Sequence, residues 1–147
     1  MDLSLFKRLG EARILVVGDI MLDRYMQGDS QRISPEAPVP VVNITQQQDK
    51  LGGAANVARN IRQLDAKVTL LGIVGKDNHS NQLRKLLDQH DIDSELVESD
   101  HPTITKLRVI SRKQQVVRLD FETPFSQNDS KRLLEPFNAQ LDNVDLV

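Results

Sequence analysis

The chain has 147 residues, a formal net charge of −2 and 39% hydrophobic residues, so it reads as one folded domain or part of one, burying roughly two-thirds of its unfolded surface. Acids and bases are interspersed with no basic arm, which argues against nucleic acid or anionic membrane as a partner, and the lack of cysteine excludes disulfides and thiolate metal sites. The N-terminal MDLSLFKRLGEAR has no unbroken apolar run or small-residue cleavage site, and nothing later approaches the ~20 apolar residues of a membrane span, which predicts a cytoplasmic protein.

The run ARILVVG at 12–18 is β-branched and apolar, and predicts a strand buried on both faces of a parallel, helix-covered sheet. From Gly28 to Lys50 the prolines at 35, 38 and 40 forbid a helix, leaving Val39, Val41, Val42 and Ile44 as an extended edge segment at best, outside the main sheet. After Gly52 and Gly53, the residues Ala54, Val57, Ala58, Ile61 and Leu64 mark the apolar face of a helix, with Arg59, Arg62 and Gln63 off it. KVTLLGIV at 67–74 is a second buried strand. Asp77 or Asn78 then caps a helix that buries Leu83, Leu86 and Leu87. This alternation is the rhythm of an α/β fold.

The pattern changes after residue 100. Strands are expected at 103–110 and 116–121 around a polar turn at 111–115, a hairpin with Lys106 and Arg108 on one face of its first strand and Arg118 and Asp120 on one face of its second. Residues 126–130 offer caps for a helix carrying Leu133, Leu134, Phe137 and Leu141, which Pro136 should kink or shorten. The closing Val144-Asp145-Leu146-Val147 reads as the start of another strand, and a strand beginning there predicts a truncated domain.

Three groups of residues carry candidate chemistry. Gly52-Gly53-Ala54-Ala55-Asn56 is neither a dinucleotide fingerprint nor a phosphate-cradling P-loop. Its glycines either make a tight turn or let a ligand approach the N–H groups of a helix start, with Asn56 as a mixed donor and acceptor suited to sugar hydroxyls. Asp19 and Asp23 follow the first strand, where open α/β sheets bind ligands; each can accept a pair of hydroxyls or cap a turn. Lys106, Arg108 and Arg118 form either a phosphate site or a solvated face. His79, His90 and His101 share no ligand spacing, and no metal site is assigned to them.

Together, residues 18–23, 52–56 and VTLLGIVGKD at 68–77 resemble the ribokinase-like (PfkB) carbohydrate kinase family. RISPEAPVPVV at 32–42, HPTITKLRVIS at 101–111 and QQVVRLDFE at 114–122 are similar to its branch that acts on D-glycero-β-D-manno-heptose 7-phosphate in lipopolysaccharide core synthesis. The resemblance implies a ribokinase-like α/β fold, a mainly parallel sheet flanked by helices with a small β lid at 28–50. It implies ATP-dependent phosphorylation of the anomeric 1-hydroxyl, with Mg²⁺ as a companion of the nucleotide. It also implies a sugar site at Asp23, Gly52, Gly53 and Asn56, with lids that pair into a homodimer. Lys106, Arg108 and Arg118 then become candidates for the 7-phosphate by their charge.

Two departures stand out. Where the family commonly has Leu-Gly-Ala after the signature helix, this chain has Leu64-Asp65-Ala66, so Asp65 should adopt positive φ at a cost of about 1 kcal/mol. The family's Gly-Ala-Gly-Asp motif, which carries the catalytic aspartate and much of the ATP site, has no match here. Residues 1–147 are therefore expected to be the sugar-binding part of a kinase domain, inactive alone, and in bifunctional relatives followed later by an adenylyltransferase domain. The alternative is a non-catalytic sugar-phosphate-binding module; a dinucleotide enzyme lacks its fingerprint.

Overall fold

The computed structural model describes residues 10–147. Among the described residues, seven strands and four helices follow one another. The first half contains β1 (Arg13–Val17), β2 (Ile20–Ile33), β3 (Pro40–Gly53), α1 (Ala54–Arg62) and β4 (Lys67–Gly75). The second contains α2 (Asn78–Gln89), β5 (Asp93–Ser99), β6 (Ile104–Ser111), β7 (Gln114–Phe121), α3 (Gln127–Arg132) and α4 (Leu134–Leu141).

Strands β1, β4 and β5 form a parallel sheet in that order, with Ile14 opposite Val68 and Leu71 opposite Glu95. Helices α1 and α2 bury Ala55, Ala58, Leu83 and Leu87 against Val68, Leu70 and Val74, and β2 and β3 add Ile20, Leu22 and Leu51 to the same core. Ala54 and Ile61 of α1 pack against the same core.

Two sequence expectations shift here. Val57 and Leu64 are about half exposed. The buried stripe of α1 runs through Ala55 and Ala58, and the helix ends at Arg62, so Leu64 lies in the turn beyond it. Strand β1 is covered on both faces only at its centre, where Leu15 is buried on one face and Val16 packs against the core on the other. Val17, at the strand's open C-terminal end, is 39% exposed. The outer neighbour of β1 is a single parallel bridge, Ile14 to Leu146, where the terminal strand was expected.

The second sheet has the order β3-β2-β6-β7, with β2 antiparallel to β3 and parallel to β6, and β6 antiparallel to β7. Residues 28–33 and 40–50 lie in two fourteen-residue strands, and Val41, Val42 and Ile44, expected in an extended edge segment, fall in the edge strand β3. The turn between the two strands carries Pro35 and Pro38 and closes with the Ser34 amide donating to Val39 O at 2.8 Å. Strand β3 is an edge, so Pro40 at its start is tolerated.

The β6–β7 turn is shorter than 111–115. It is the two residues Arg112 and Lys113, both at positive φ (48° and 66°), as a primed hairpin turn requires.

The helix boundaries follow the sequence signals. Asp77 caps α2 by accepting from the Ser80 amide, and Ser126 caps α3 in a reciprocal box with Asp129. Pro136 cannot donate to the preceding turn, and the helix expected there is two, divided at Leu133. Asp65 has φ 66°, the left-handed conformation expected of it.

Candidate functional site

The site lies where the two sheets meet, because β2 starts in the core at Ile20 and Leu22 and continues into the four-stranded lid. Gly53 ends β3 with φ 56° and ψ −135° and occupies the N-cap position of α1. A Cβ there would stand 2.3 Å from the carbonyl oxygen of Asp19, which accepts from the Ala54 amide at 2.9 Å. Gly53 is thus required by the turn and by close backbone approach. Gly52 has another reason: a Cβ on it would lie 2.9 Å from Oδ2 of Asp23 and 2.7 Å from Cγ of Met21. The absent side chain is the space the Asp23 carboxylate fills.

Cross-strand register then sets one face of the lid. Lys50 on β3, Asp23 on β2, Lys106 on β6 and Asp120 on β7 lie in one row. Gln48, Tyr25, Arg108 and Arg118 form the next row outward. Arg108 donates through Nη1 to Oδ1 of Asp23, both side chains about one-fifth exposed. The Tyr25 ring receives two cations, Lys50 Nζ at 4.6 Å from its centroid and Arg108 Cζ at 5.3 Å.

Of the residues singled out by sequence, Asp23, Gly52 and Arg108 are brought into contact or near-contact, and Asn56 sits half-buried in the first turn of α1. Lys106 shares their face and lies 3.9 Å from Glu122. Arg118 is on the exposed strand β7, with Nε 2.9 Å from Asp120, and is not drawn towards Asp23. Asp19 is exposed and contributes its carbonyl to the α1 turn. Lys50 and Tyr25 escaped the sequence reading because β2 and β3 were not recognised as paired strands. The alternation Met21-Asp23-Tyr25 was the available signal.

A second cluster fixes the lid to the parallel sheet. Asp77 accepts from the Thr103 amide at 2.7 Å, the Thr103 hydroxyl at 2.8 Å and the Ser80 amide at 2.8 Å. The Gly75 amide at the end of β4 donates to Thr103 Oγ1 at 2.9 Å, and His79 Nδ1 lies 3.1 Å from Thr105 Oγ1. Burial pushes the Asp77 carboxyl up, but the two amides and the hydroxyl outweigh it and hold it below its ordinary value. Three and five residues after Thr103, β6 delivers Lys106 and Arg108 to the lid face, so this cluster sets where those cations stand.

The described residues contain no group of three or more His, Asp or Glu side chains arranged to hold a metal ion. The arrangement sets a carboxylate, a side-chain-free turn and several cations on one face, donors and acceptors that suit hydroxyl and anionic groups. No described helix is long and apolar enough to cross a membrane.

Comparison with known proteins identifies the family and the fold. The family described as pfkB family carbohydrate kinase matches residues 11–147. The chain is 54% identical over 138 residues to the Bifunctional protein HldE of Shewanella amazonensis, and equally to that of Shewanella baltica. In both cases the match covers 93% of this chain and 29% of the relative. Among solved structures, a putative phosphofructokinase from Staphylococcus aureus superposes with TM-score 0.69 at 20% identity over 84% of this chain and 39% of its own. Phosphofructokinase-2 from Escherichia coli in complex with fructose-6-phosphate gives 0.65 at 22% identity, over 87% and 41%. These likenesses show the ribokinase-like α/β fold, over the portion of it that the chain spans.

Proposed function

The chain belongs to the pfkB family of carbohydrate kinases, and from that premise we propose that it forms the sugar-holding part of a cytoplasmic kinase acting on D-glycero-β-D-manno-heptose 7-phosphate. In the whole enzyme, ATP, accompanied by Mg²⁺, supplies a γ-phosphoryl group to the anomeric hydroxyl, giving ADP and the 1,7-bisphosphate. The observation that carries the reading is the carboxylate of Asp23 laid across the side-chain-free Gly52 at the start of α1. Asp23 accepts two sugar hydroxyls there, Gly52 and Gly53 let the ring approach the backbone, and Asn56 donates and accepts at its rim. Lys106 and Arg108 lie on the same face for the ligand's phosphate.

Catalysis of phosphoryl transfer rests mainly on positioning and charge stabilisation, and holding the acceptor sugar is the part these residues supply. The substrate assignment draws on the runs at 32–42, 101–111 and 114–122 and on the likeness to the HldE proteins. We also propose that two copies pair through the lid. Val117, Leu119 and Phe121 stand 42–53% exposed on the lid face opposite Asp23.

The test is calorimetric titration of the 147-residue chain with heptose 7-phosphate, fructose 6-phosphate and ribose. Tightest binding of the heptose phosphate, abolished by Asp23→Asn, is the expected result. Equal binding of all three, or indifference to the substitution, removes the assignment.

A further inference from the structure

The polar lid face holds four cations, and three of them are already matched by carboxylates. Arg108 is taken by Asp23, Lys106 lies 3.9 Å from Glu122, and Arg118 lies 2.9 Å from Asp120. Lys50 is different: among the described residues no carboxylate lies within 4.0 Å of it, and its ammonium rests over the Tyr25 ring at 4.6 Å. A cation over an aromatic face is held in place without being neutralised, because the ring offers a quadrupole and no charge.

Its position matters as much as its charge. Lys50 is the direct cross-strand partner of Asp23 on β3, while Lys106 is the partner on β6. Directly opposed residues on neighbouring strands have Cβ atoms about 5 Å apart. A sugar that hydrogen-bonds to Asp23 therefore lies beside Lys50. A phosphate on that sugar is repelled by the Asp23 carboxylate and requires a nearby cation whose charge is not already spent.

We propose that Lys50, braced by Tyr25, is the residue of this chain that selects a phosphorylated sugar over its unphosphorylated counterpart, with Arg108 as the second cation on the same ring. This rests on the sugar-phosphate reading above and adds a residue to it. Lys50 acts by a direct charge-assisted contact with the phosphate, and the Tyr25 ring sets where the ammonium waits. Arg118 plays no part in this selection, because it stands on β7, two strands away from the strand of Asp23.

The experiment is a titration of the purified chain with D-glycero-D-manno-heptose 7-phosphate and with unphosphorylated D-glycero-D-manno-heptose. Wild type is compared with Lys50→Ala, Lys50→Arg and the charge-matched control Lys131→Ala, each checked for fold by circular dichroism. Wild type and Lys131→Ala should prefer the phosphorylated sugar by about tenfold to a hundredfold, the range of one charged hydrogen bond. Lys50→Ala should erase that preference while leaving affinity for the plain heptose unchanged, and Lys50→Arg should restore most of it. If Lys50→Ala keeps the preference, or weakens both sugars alike, the inference is wrong and the sugar reading survives. If wild type binds neither sugar, that reading falls and the role of Lys50 falls with it.

Discussion

Arg108 on β6 and Asp23 on β2 are joined by an ion pair that spans 85 positions of sequence and ties the second half of the lid to the strand leaving the core. Asp23 therefore has a cationic partner before any ligand arrives. A sugar that uses this carboxylate must share it with Arg108 or displace it, and a displaced Arg108 is free to meet a phosphate.

The pair should be measurable without ligand. In urea denaturation, a double-mutant cycle of Asp23→Asn and Arg108→Gln should give a coupling of about 1 kcal/mol, since both side chains are only partly screened by solvent. A coupling indistinguishable from zero would show that the contact contributes nothing to the fold.

The two glycines should respond differently. Gly53→Ala forces a side chain into positive φ and against the Asp19 carbonyl, and should cost about 1–3 kcal/mol of stability whatever the ligand. Gly52→Ala collides with the Asp23 and Met21 side chains, which can turn aside. It should lose sugar affinity more than stability. Thermal melts and calorimetry on the same samples separate the two, and equal behaviour would contradict their separate roles.

Asp77 predicts a pH effect. Its carboxyl is held below the ordinary 3.8, so the folded state prefers the ionised form. The associated stability is complete above the unfolded value and is lost as pH falls below about 4 towards the depressed folded value. Asp77→Asn should be less stable than wild type at pH 7 by about 1–3 kcal/mol, reflecting the weakened cap and the Thr103 contacts. It should also lose less stability between pH 4 and pH 2. Parallel pH curves for the two proteins would refute this role.

The β6–β7 turn stores strain that can be removed. Arg112 and Lys113 both adopt positive φ, where asparagine and glycine are favoured. Replacing them as Arg112→Asn with Lys113→Gly should raise stability by about 1 kcal/mol without altering sugar affinity. A fall in the denaturation midpoint would show that the side chains themselves hold the turn.

The core was legible in the sequence because local chemistry decides it. LLGIV can only be a buried strand, Asp77 and Ser126 are caps with correctly spaced amides, and Asp65 stands where a left-handed residue ends the helix. The lid was less legible. Its strands β2 and β3 are polar on the face that forms the site, so their apolar alternation is weak, and their pairing is a long-range event that no local pattern announces. That is why Asp23 and Gly52 were visible as motif residues while Lys50 and Tyr25 emerged only from register. The same long-range pairing turned Arg108 towards Asp23 and left Arg118 with Asp120.

The most direct test is amide mapping by two-dimensional nuclear magnetic resonance as D-glycero-D-manno-heptose 7-phosphate is added to the chain. The account predicts that the amides of Asp23, Gly52, Gly53 and Asn56 shift together along one saturable curve, with those of Lys50 and Arg108, while the bottom of the parallel sheet around Asp65 and Asp91 stays still. Saturable shifts confined elsewhere, or none at all from a well-dispersed spectrum, would contradict a sugar site at the Gly52-Gly53 turn.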